Sequence, residues 1–318
     1  MRMAESELPM SERKHNSWLH GYAIFVACAT FLLIIAGALV TSNDAGLSVP
    51  DWPTSFGTFR MPRMVGGVLY EHGHRMIAAT VGLLTVILAL WAWRRERRRW
   101  VRWLAGVAVL TVIAQGVLGG ITVLFYLPVA VSTGHAALAQ TFFCIMVSLA
   151  MFTGRDWRWD EPKSDDLGAP SLRHLAVATT GAIYIQLIVG AAFRHNGLGI
   201  LPHIVVATIV TLLVAWMATR IFSRFSSERR LVRAMGLLVG LVIVQVFLGV
   251  GAYVMRLDSR NAPQPLPPVV NVTTAHVAVG ALVLAASVIL ALQIFRRVAA
   301  PQGSDAPEHL GAQQKAIG

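Results

Sequence analysis

Four histidines each fall within the first few residues of a long apolar segment of the chain, namely His74, His135, His203 and His276. Ionisable side chains at membrane depth are costly and usually functional. A neutral imidazole is the commonest protein metal ligand and a standard axial ligand of haem iron. Two such histidines on facing helices would hold one haem between them, so the four predict two haem sites inside a helical bundle.

Each histidine taken alone has another interpretation, as an interfacial imidazole bonded to a backbone carbonyl. The recurrence of the four at equivalent positions favours the ligand interpretation. Zinc is disfavoured, because the sequence has no cluster of His, Cys and carboxylate residues at ligand spacing. Cys28 and Cys144 lie inside apolar runs and indicate neither a disulfide framework nor a thiolate metal site.

A single carboxylate lies beside the first of these histidines, in the run Glu71-His72-Gly73-His74-Arg75. In a helix Glu71, His74 and Arg75 share one face, because they are three and four residues apart. Glu71 could simply pair with Arg75. The functional interpretation is that a carboxylate beside only one of two haems serves proton-coupled chemistry there, while the other site stores or relays electrons. This asymmetry indicates an enzyme rather than a symmetric electron carrier.

Eight apolar segments of about 20 residues, the length that crosses a bilayer, must position these side chains. Backbone polar groups in lipid have to be satisfied within a segment, which favours helices over strands. The fold class predicted is an all-α integral membrane protein with eight transmembrane helices, arranged as two tandem four-helix bundles. The segments are residues 19–40, 71–93, 101–124, 131–153, 173–193, 201–222, 231–255 and 272–295.

Composition and charge agree with a membrane protein and give it an orientation. Only 14 % of the residues are charged, against roughly 25 % in soluble domains, and the mean hydropathy is +0.61. Of the 27 basic residues, 21 fall in the tails and loops of one side. The positive-inside rule therefore places both termini in the cytoplasm, and the net charge of +11 requires no nucleic-acid partner. The start of the chain has the pattern of neither a signal nor a transit peptide, which favours a bacterial plasma membrane.

The second half of the chain echoes the first. QGVLGGITV from Gln115 resembles QVFLGVGAYV from Gln245, and IIAGALVTSNDAGL from Ile34 resembles LIVGAAFRHNGL from Leu187. These echoes predict two copies of one four-helix unit in the same orientation. Small residues in the echoes permit close approach of helices or of a flat ligand, namely Gly37, Gly119, Gly120, Gly190, Gly249 and Gly251.

The repeat gives a division of the chain. We expect a cytoplasmic N-terminal tail over residues 1–18 and an N-terminal four-helix half over residues 19–153. A cytoplasmic linker over 154–172 leads to a C-terminal four-helix half over 173–297, and a disordered cytoplasmic tail follows over 298–318.

Further polar and aromatic residues could contact a bound haem. Arginines pair bidentately with carboxylates such as haem propionates, and the outward-side candidates are Arg75, Arg194, Arg256 and Arg260. Amides within apolar helices should form hydrogen bonds, by default to another helix; these are Gln115, Gln186 and Gln245. Trp52 could be part of a lid over the first site, or of an aromatic belt at the membrane surface.

The EHGHR element that opens the second segment, the three further histidines and the loop run from Thr41 to Gly57 resemble the haem A synthase family. Members of that family are membrane enzymes that convert haem O to haem A for cytochrome oxidases. The resemblance implies successive oxidation of a ring methyl to a hydrated aldehyde, which loses water to leave a formyl group.

The resemblance also implies roles for individual residues. His74 and His135 would bracket the substrate haem, and His203 and His276 would ligate the iron of a permanent haem b. Glu71 would be the essential acidic residue. Haem O and membrane lipid are the implied partners, with a haem O synthase and an unidentified electron donor as further candidates. A homo-oligomer is left open.

The chain departs from part of that family in the loop before the second segment. Many bacterial members carry a cysteine pair flanking a Trp-Pro dipeptide, and Ser48 and Ser55 stand at the corresponding positions around Trp52-Pro53. The chain would therefore belong with the members that lack this pair.

Two other functions remain open on the sequence. The first is a dihaem electron-transfer protein of the cytochrome b type with no chemistry of its own, against which the position of Glu71 argues. The second is a transporter built from two repeats, which the near absence of charge at mid-membrane disfavours.

Overall fold

Eight long helices form the part of the chain described by the computed structural model, which covers residues 16–158, 163–166 and 168–300. All eight are long and apolar enough to cross a membrane, so the predicted fold class is confirmed. In chain order they are α1 (Ser17–Ser42), α2 (Gly67–Arg95), α3 (Arg99–Leu124), α4 (Val129–Thr153), α5 (Leu172–Arg194), α6 (Ile200–Arg224), α7 (Arg229–Asp258) and α8 (Pro267–Arg297).

Short connections join most of the helices, and a 3₁₀ helix at Arg155–Arg158 follows α4. Most of the two tails predicted for residues 1–18 and 298–318 lies outside the described residues.

The even-numbered helices begin earlier than their apolar runs do. α8 starts at Pro267 and Pro268, because proline is tolerated in the first turn, where its missing N–H has no intrahelical partner. As a result His276 is the tenth residue of its helix, and His74 is the eighth residue of α2. These imidazoles therefore lie deeper than the sequence predicted, two or more turns inside the helix.

Each half of the chain closes into its own four-helix bundle. In the first half α1 contacts α2, α2 contacts α3, α3 contacts α4, and α4 returns to α1. The second half repeats this arrangement with α5, α6, α7 and α8. Each bundle has its own buried core, centred on residues such as Leu88 and Met146 in the first and Met217 and Leu238 in the second.

The two bundles meet along α1, α4, α5 and α8. A small apolar cluster fills this junction, where Ile34 and Phe143 pack against Ala281 and Ala285. Alanines on α8 let the three helices approach closely. The outer helices α2, α3, α6 and α7 instead expose large apolar side chains, such as Leu83 and Phe247, as expected of surfaces that face lipid.

Ion pairs fix the loops at the end of the molecule where α1 begins and α8 ends. Arg220 near the end of α6 contacts Asp166 at 2.6 Å, and the side chains are only 11 % and 2 % exposed. The Asp166 carboxylate also accepts from the backbone N–H of Gly168 at 3.1 Å. A second pair, Arg230 with Asp156, is about half exposed on both sides.

We predict that these two ion pairs differ sharply in their effect on stability. Arg220→Ala leaves the Asp166 carboxylate buried without its cation and should cost about 3 kcal/mol or more. Arg230→Ala removes an exposed pair and should change the free energy of unfolding by less than about 0.5 kcal/mol. Chemical unfolding in detergent measures the free energy of unfolding of both variants. Similar losses of stability in the two would show that burial does not determine how much each ion pair stabilises the protein.

Candidate functional site

Each of the four histidines packs against a glycine of the preceding helix. A Cβ built on that glycine would lie within 3.3 Å of the imidazole Cε1 in every case. Contacts this close mean that any side chain at these positions would have to displace the ring. The pairs are Gly37 with His74, Gly119 with His135, Gly190 with His203, and Gly249 with His276.

Three of the four histidines also meet a glutamine one helical turn before the facing glycine. Gln115 donates from its amide to the backbone carbonyl of His135 at 3.1 Å. Gln186 donates to the backbone carbonyl of His203 at 3.0 Å, and its amide also contacts the imidazole. Gln245 lies 3.5 Å from Nε2 of His276. The prediction that these amides bond to another helix is confirmed, with the histidine of that helix as the partner.

The first histidine has no such amide. The residue one turn before Gly37 is Leu33, an apolar side chain packed partly into the core of the first bundle. The two units of the repeat are therefore equivalent at glycine and histidine but not at glutamine.

The second bundle brings its two histidines together with a spacing that suits a shared metal. The ring centres of His203 and His276 are 6.3 Å apart. Two imidazoles on opposite sides of one metal, each bonded at about 2 Å, put their ring centres about 6 Å apart. Phe193 stacks on His203, with ring centres 6.4 Å apart and planes at 17°. The residues present thus fit a haem iron held from both sides.

The first bundle offers a comparable pair. His74 of α2 and His135 of α4 each face a glycine of the helix before, Gly37 and Gly119. Their Nδ1 atoms, like that of His276, are buried without a hydrogen-bond partner among the residues that the structure describes. Buried polar atoms are normally satisfied, so imidazoles in this state suit ligand binding.

Glu71 is buried, with only 4 % of its surface exposed, and it joins α2 to the loop that precedes the helix. One carboxylate oxygen accepts from the backbone N–H of Val49 at 2.7 Å. The other accepts from Arg75, one turn further along the helix. The ion pair that the sequence allowed therefore exists, and it lies one turn from His74.

Arg75 holds the same loop through its backbone carbonyls. Its guanidinium donates to the backbone carbonyls of Val49 at 3.1 Å, Asp51 at 2.7 Å and Thr54 at 3.2 Å. That Arg75 binds a propionate stays a prediction, and in the structure its donors are directed to the loop carbonyls. Together Glu71 and Arg75 fix this loop, residues 43–66, to α2.

Trp52 brings the loop onto α3 beside the first histidine pair. Its indole lies so close to Gly120 that a Cβ there would be 2.6 Å from the ring. Gly120 follows Gly119, which faces His135. This contact agrees with a lid over the first bundle, the first of the two roles that the sequence suggested.

The loop is further held by its own polar groups. Asp51 accepts from Thr54 and from the backbone N–H groups of Phe56 at 2.7 Å and Gly57 at 2.9 Å. The bond from Thr54, followed by that from Gly57, holds the pKa of the Asp51 carboxyl below its usual value. Ser55 bonds to Nδ1 of His72 at 2.9 Å and so ties the loop to α2.

The other predicted arginines lie around the junction of the bundles and the second site. Arg194 donates to Ser42 at 2.7 Å, and Ser42 in turn contacts Thr274 of α8 at 3.0 Å. Arg256 lies over the ring of Phe193 at 5.9 Å, next to His203. Arg260 donates to the Leu257 carbonyl at the end of α7. Sequence reasoning missed Phe193 and Ser42, because a single aromatic or serine in an apolar run has no pattern.

We predict that the glycine facing a histidine tolerates no side chain, whereas a neighbouring glycine does. Gly249→Ala places a methyl 2.9 Å from His276 and should destabilise the protein by about 1–3 kcal/mol through overpacking. Gly251→Ala meets only Val272 at 3.7 Å and should gain up to about 1 kcal/mol from helix propensity. Unfolding in detergent measures the stability of the two variants. Equal changes would contradict the close contact between Gly249 and His276.

Comparison with known proteins gives consistent matches. Residues 64–202 match the family model COX15-CtaA, described as cytochrome oxidase assembly protein. A heme A synthase of Lysinibacillus sphaericus is 28 % identical over 185 residues, which cover 58 % of this chain and 60 % of the relative. A heme A synthase of Symbiobacterium thermophilum is 33 % identical over 172 residues, covering 52 % and 56 %. That of Cereibacter sphaeroides is 29 % identical over 164 residues, covering 45 % and 41 %.

These alignments span only part of each protein. The chain spans at most about three fifths of the length of the curated relatives it matches. The residues matched by the family model include Glu71, His74 and His135, and they end just before His203. Residues 64–202 of the chain are thus similar to the COX15-CtaA family, and the resemblance to the haem A synthases that the sequence indicated is confirmed.

Proposed function

We propose that this protein is a membrane oxidoreductase that converts haem O to haem A for terminal oxidases. The observation that carries the proposal is the repeated pair of histidines, each against a glycine, with a buried carboxylate that lies, among the residues described, beside only one of the two pairs. Because the carboxylate lies next to the first pair of histidines, we assign the reaction to the first site and electron storage to the second.

The second bundle is the candidate holder of a permanent haem b. His203 and His276 would provide its axial ligands, and the 6.3 Å spacing of their rings supports this assignment. Gln186 and Gln245 steady the two histidines, since their amides contact the imidazoles. When bound there, haem b supplies a one-electron redox centre.

The first bundle is the candidate substrate site, where His74 and His135 would hold the iron of haem O. Glu71 lies one turn from His74 and would take or give a proton as the methyl carbon is oxidised. The loop over residues 43–66, fixed by Arg75 and Trp52, would exclude water from this side of the bundle.

Arginines near the two sites are candidates for the propionates. Arg194 and Arg256 lie toward the second site, and each could form a bidentate pair with a carboxylate. Arg75 could do so only by giving up part of its contacts with the loop carbonyls.

The charge distribution supports a plasma-membrane location with both termini cytoplasmic. The histidines would then lie toward the outer face. A haem O synthase that supplies the substrate, an electron acceptor or donor, and a second copy of the chain are partners consistent with this placement.

We predict that the two bundles bind haem independently. Removing an axial ligand by His276→Ala should lower haem b retained after purification at least about tenfold. His135→Ala should leave haem b bound and lower retention of added haem O. His174→Ala, at the start of α5 where the ring bonds to Ser171, serves as the matched control and should change neither. Pigment extraction and absorption spectra measure both haems.

Equal loss of haem b in His135→Ala and His276→Ala would contradict the division into two sites. Purified wild-type protein without haem absorbance would contradict the whole proposal, including a purely electron-transferring dihaem protein.

We predict that Glu71→Gln retains haem and loses at least about a hundredfold in haem A formation, the contribution of a positioned proton donor or acceptor. Arg75→Gln is the matched comparison, because it disturbs the same loop and leaves the carboxylate in place. Haem A is measured after co-expression with a haem O source. Equal losses in the two variants would reduce Glu71 to an anchor of the loop, and unchanged haem A in Glu71→Gln would refute its role.

A further inference from the structure

Most serine and threonine hydroxyls in the described helices donate to a carbonyl of their own helix three or four residues earlier, a bond that these short polar side chains readily form. Thr85 of α2 donates to the Val81 carbonyl, and Thr179 of α5 donates to the Leu175 carbonyl, each at 2.7 Å. Ser132 near the start of α4 departs from this pattern. It is only 4 % exposed, and its buried Oγ has no hydrogen-bond partner among the described residues.

The corresponding hydroxyl of the second bundle is satisfied. Ser132 of α4 corresponds to Thr273 of α8, since each lies three residues before the histidine of its helix. Thr273 donates to the Val269 carbonyl at 2.7 Å and contacts the Ser42 hydroxyl at 3.1 Å. Buried polar atoms are normally bonded, and one that is not destabilises the protein. The hydroxyl of Ser132 is therefore available to a molecule bound in the first bundle.

Ser132 lies beside a proposed iron ligand. It shares a face of α4 with His135, because residues three apart in a helix are neighbours. Since α4 begins at Val129, Ser132 is the nearer of the two to the end of the bundle where the loop over residues 43–66 lies. A helical turn rises about 5.4 Å, so Ser132 can reach the rim of a porphyrin whose iron is bound by His135.

The arginines that could pair with a haem propionate are unevenly distributed between the bundles. Arg194 and Arg256 lie toward the second site. Beside the first site, the guanidinium of Arg75 is directed to three loop carbonyls. A neutral hydroxyl is thus a free donor next to an iron ligand of the first bundle. Its hydrogen bond to a carboxylate is stronger than one to a neutral acceptor.

We propose that the hydroxyl of Ser132 donates a hydrogen bond to a propionate of the substrate haem. This inference rests on the proposed function, since it takes the first bundle as the site of haem O. The bond holds the propionate edge of the porphyrin toward the start of α4. The ring methyls then take a fixed position relative to Glu71, so Ser132 orients the substrate as well as binding it.

The test is a titration of the whole protein, purified with its haem b, with haemin and with iron octaethylporphyrin. Both are iron porphyrins, but haemin carries two propionates, as haem O does, and iron octaethylporphyrin carries none. Binding at the first site is the part of the spectral change that is lost in His135→Ala. Ser132→Ala should weaken binding of haemin there about tenfold, the loss expected for a hydrogen bond to a charged group. Binding of iron octaethylporphyrin should not change.

Two further variants serve as controls. Thr133→Val removes the next hydroxyl, whose Oγ1 is likewise buried and without a partner in the described part of the chain. Thr133 lies two residues from His135 and so on another face of α4. Its variant should bind haemin within about twofold of wild type, because no bond to the haem is lost. Ser132→Thr keeps a hydroxyl and should bind haemin as wild type does, since α8 accommodates Thr273 at the corresponding position.

The outcomes distinguish this inference from the function on which it rests. Equal binding of haemin by wild type and Ser132→Ala would overturn the bond to a propionate. Equal weakening of both porphyrins in Ser132→Ala would overturn it too, because the serine would then only shape the cavity. A similar loss in Thr133→Val would replace it with a general effect on α4. Wild-type protein whose haemin binding does not depend on His135 would instead contradict the first bundle as a haem site, and with it the proposed function.

Discussion

An imidazole can enter the gap between two packed helices only where the opposite helix has no side chain. This constraint is met four times, at Gly37, Gly119, Gly190 and Gly249. It fixes which pairs of helices must be neighbours, since each glycine lies on the helix just before its histidine. The closed order of helices in each bundle follows, and so does the convergence of two histidines on one interior. A haem held between the two histidines of one bundle would take its orientation from the two glycine contacts of that bundle.

The repeat explains the architecture, and its departures explain how the halves differ. Glutamines support three of the histidines, whereas α1 has Leu33 at the corresponding position. The first bundle has Glu71, Arg75 and a long loop beside His74 instead. The Glu71 carboxylate is held in one place by Arg75 and by a backbone N–H. Because both of its oxygens are bonded, the free-energy penalty of burying it is small. The polar groups that distinguish the first bundle are thus concentrated where a reaction would need a proton.

Much of this could be predicted from the sequence. Apolar length gives the eight helices because the bilayer imposes it, and the spacing of Glu71, His74 and Arg75 predicts their shared face. What could not be predicted depends on contacts across the fold. Arg75 binds three loop carbonyls, and no local pattern shows that an arginine on α2 will meet a loop about 25 residues earlier. The early start of α8 was missed for a different reason, because Pro267, Pro268 and Asn271 interrupt the apolar run from which the helix was predicted.

Leu33 affects how firmly the imidazole of His74 is held in the first bundle. An amide that contacts an imidazole restricts rotation of the ring, and Gln186 and Gln245 act in this way on both histidines of the second bundle. In the first bundle Gln115 reaches the backbone of His135, and Leu33 leaves the ring of His74 packed on Gly37 without an amide. A permanent cofactor is bound more tightly when its imidazole ligands cannot rotate. A molecule that must enter and leave in every cycle is released more easily when one of its ligands can rotate. The replacement of one amide by Leu33 thus leaves the ring of His74 less restrained than the rings of His203 and His276, which agrees with the proposal that haem O exchanges in the first bundle and haem b stays in the second.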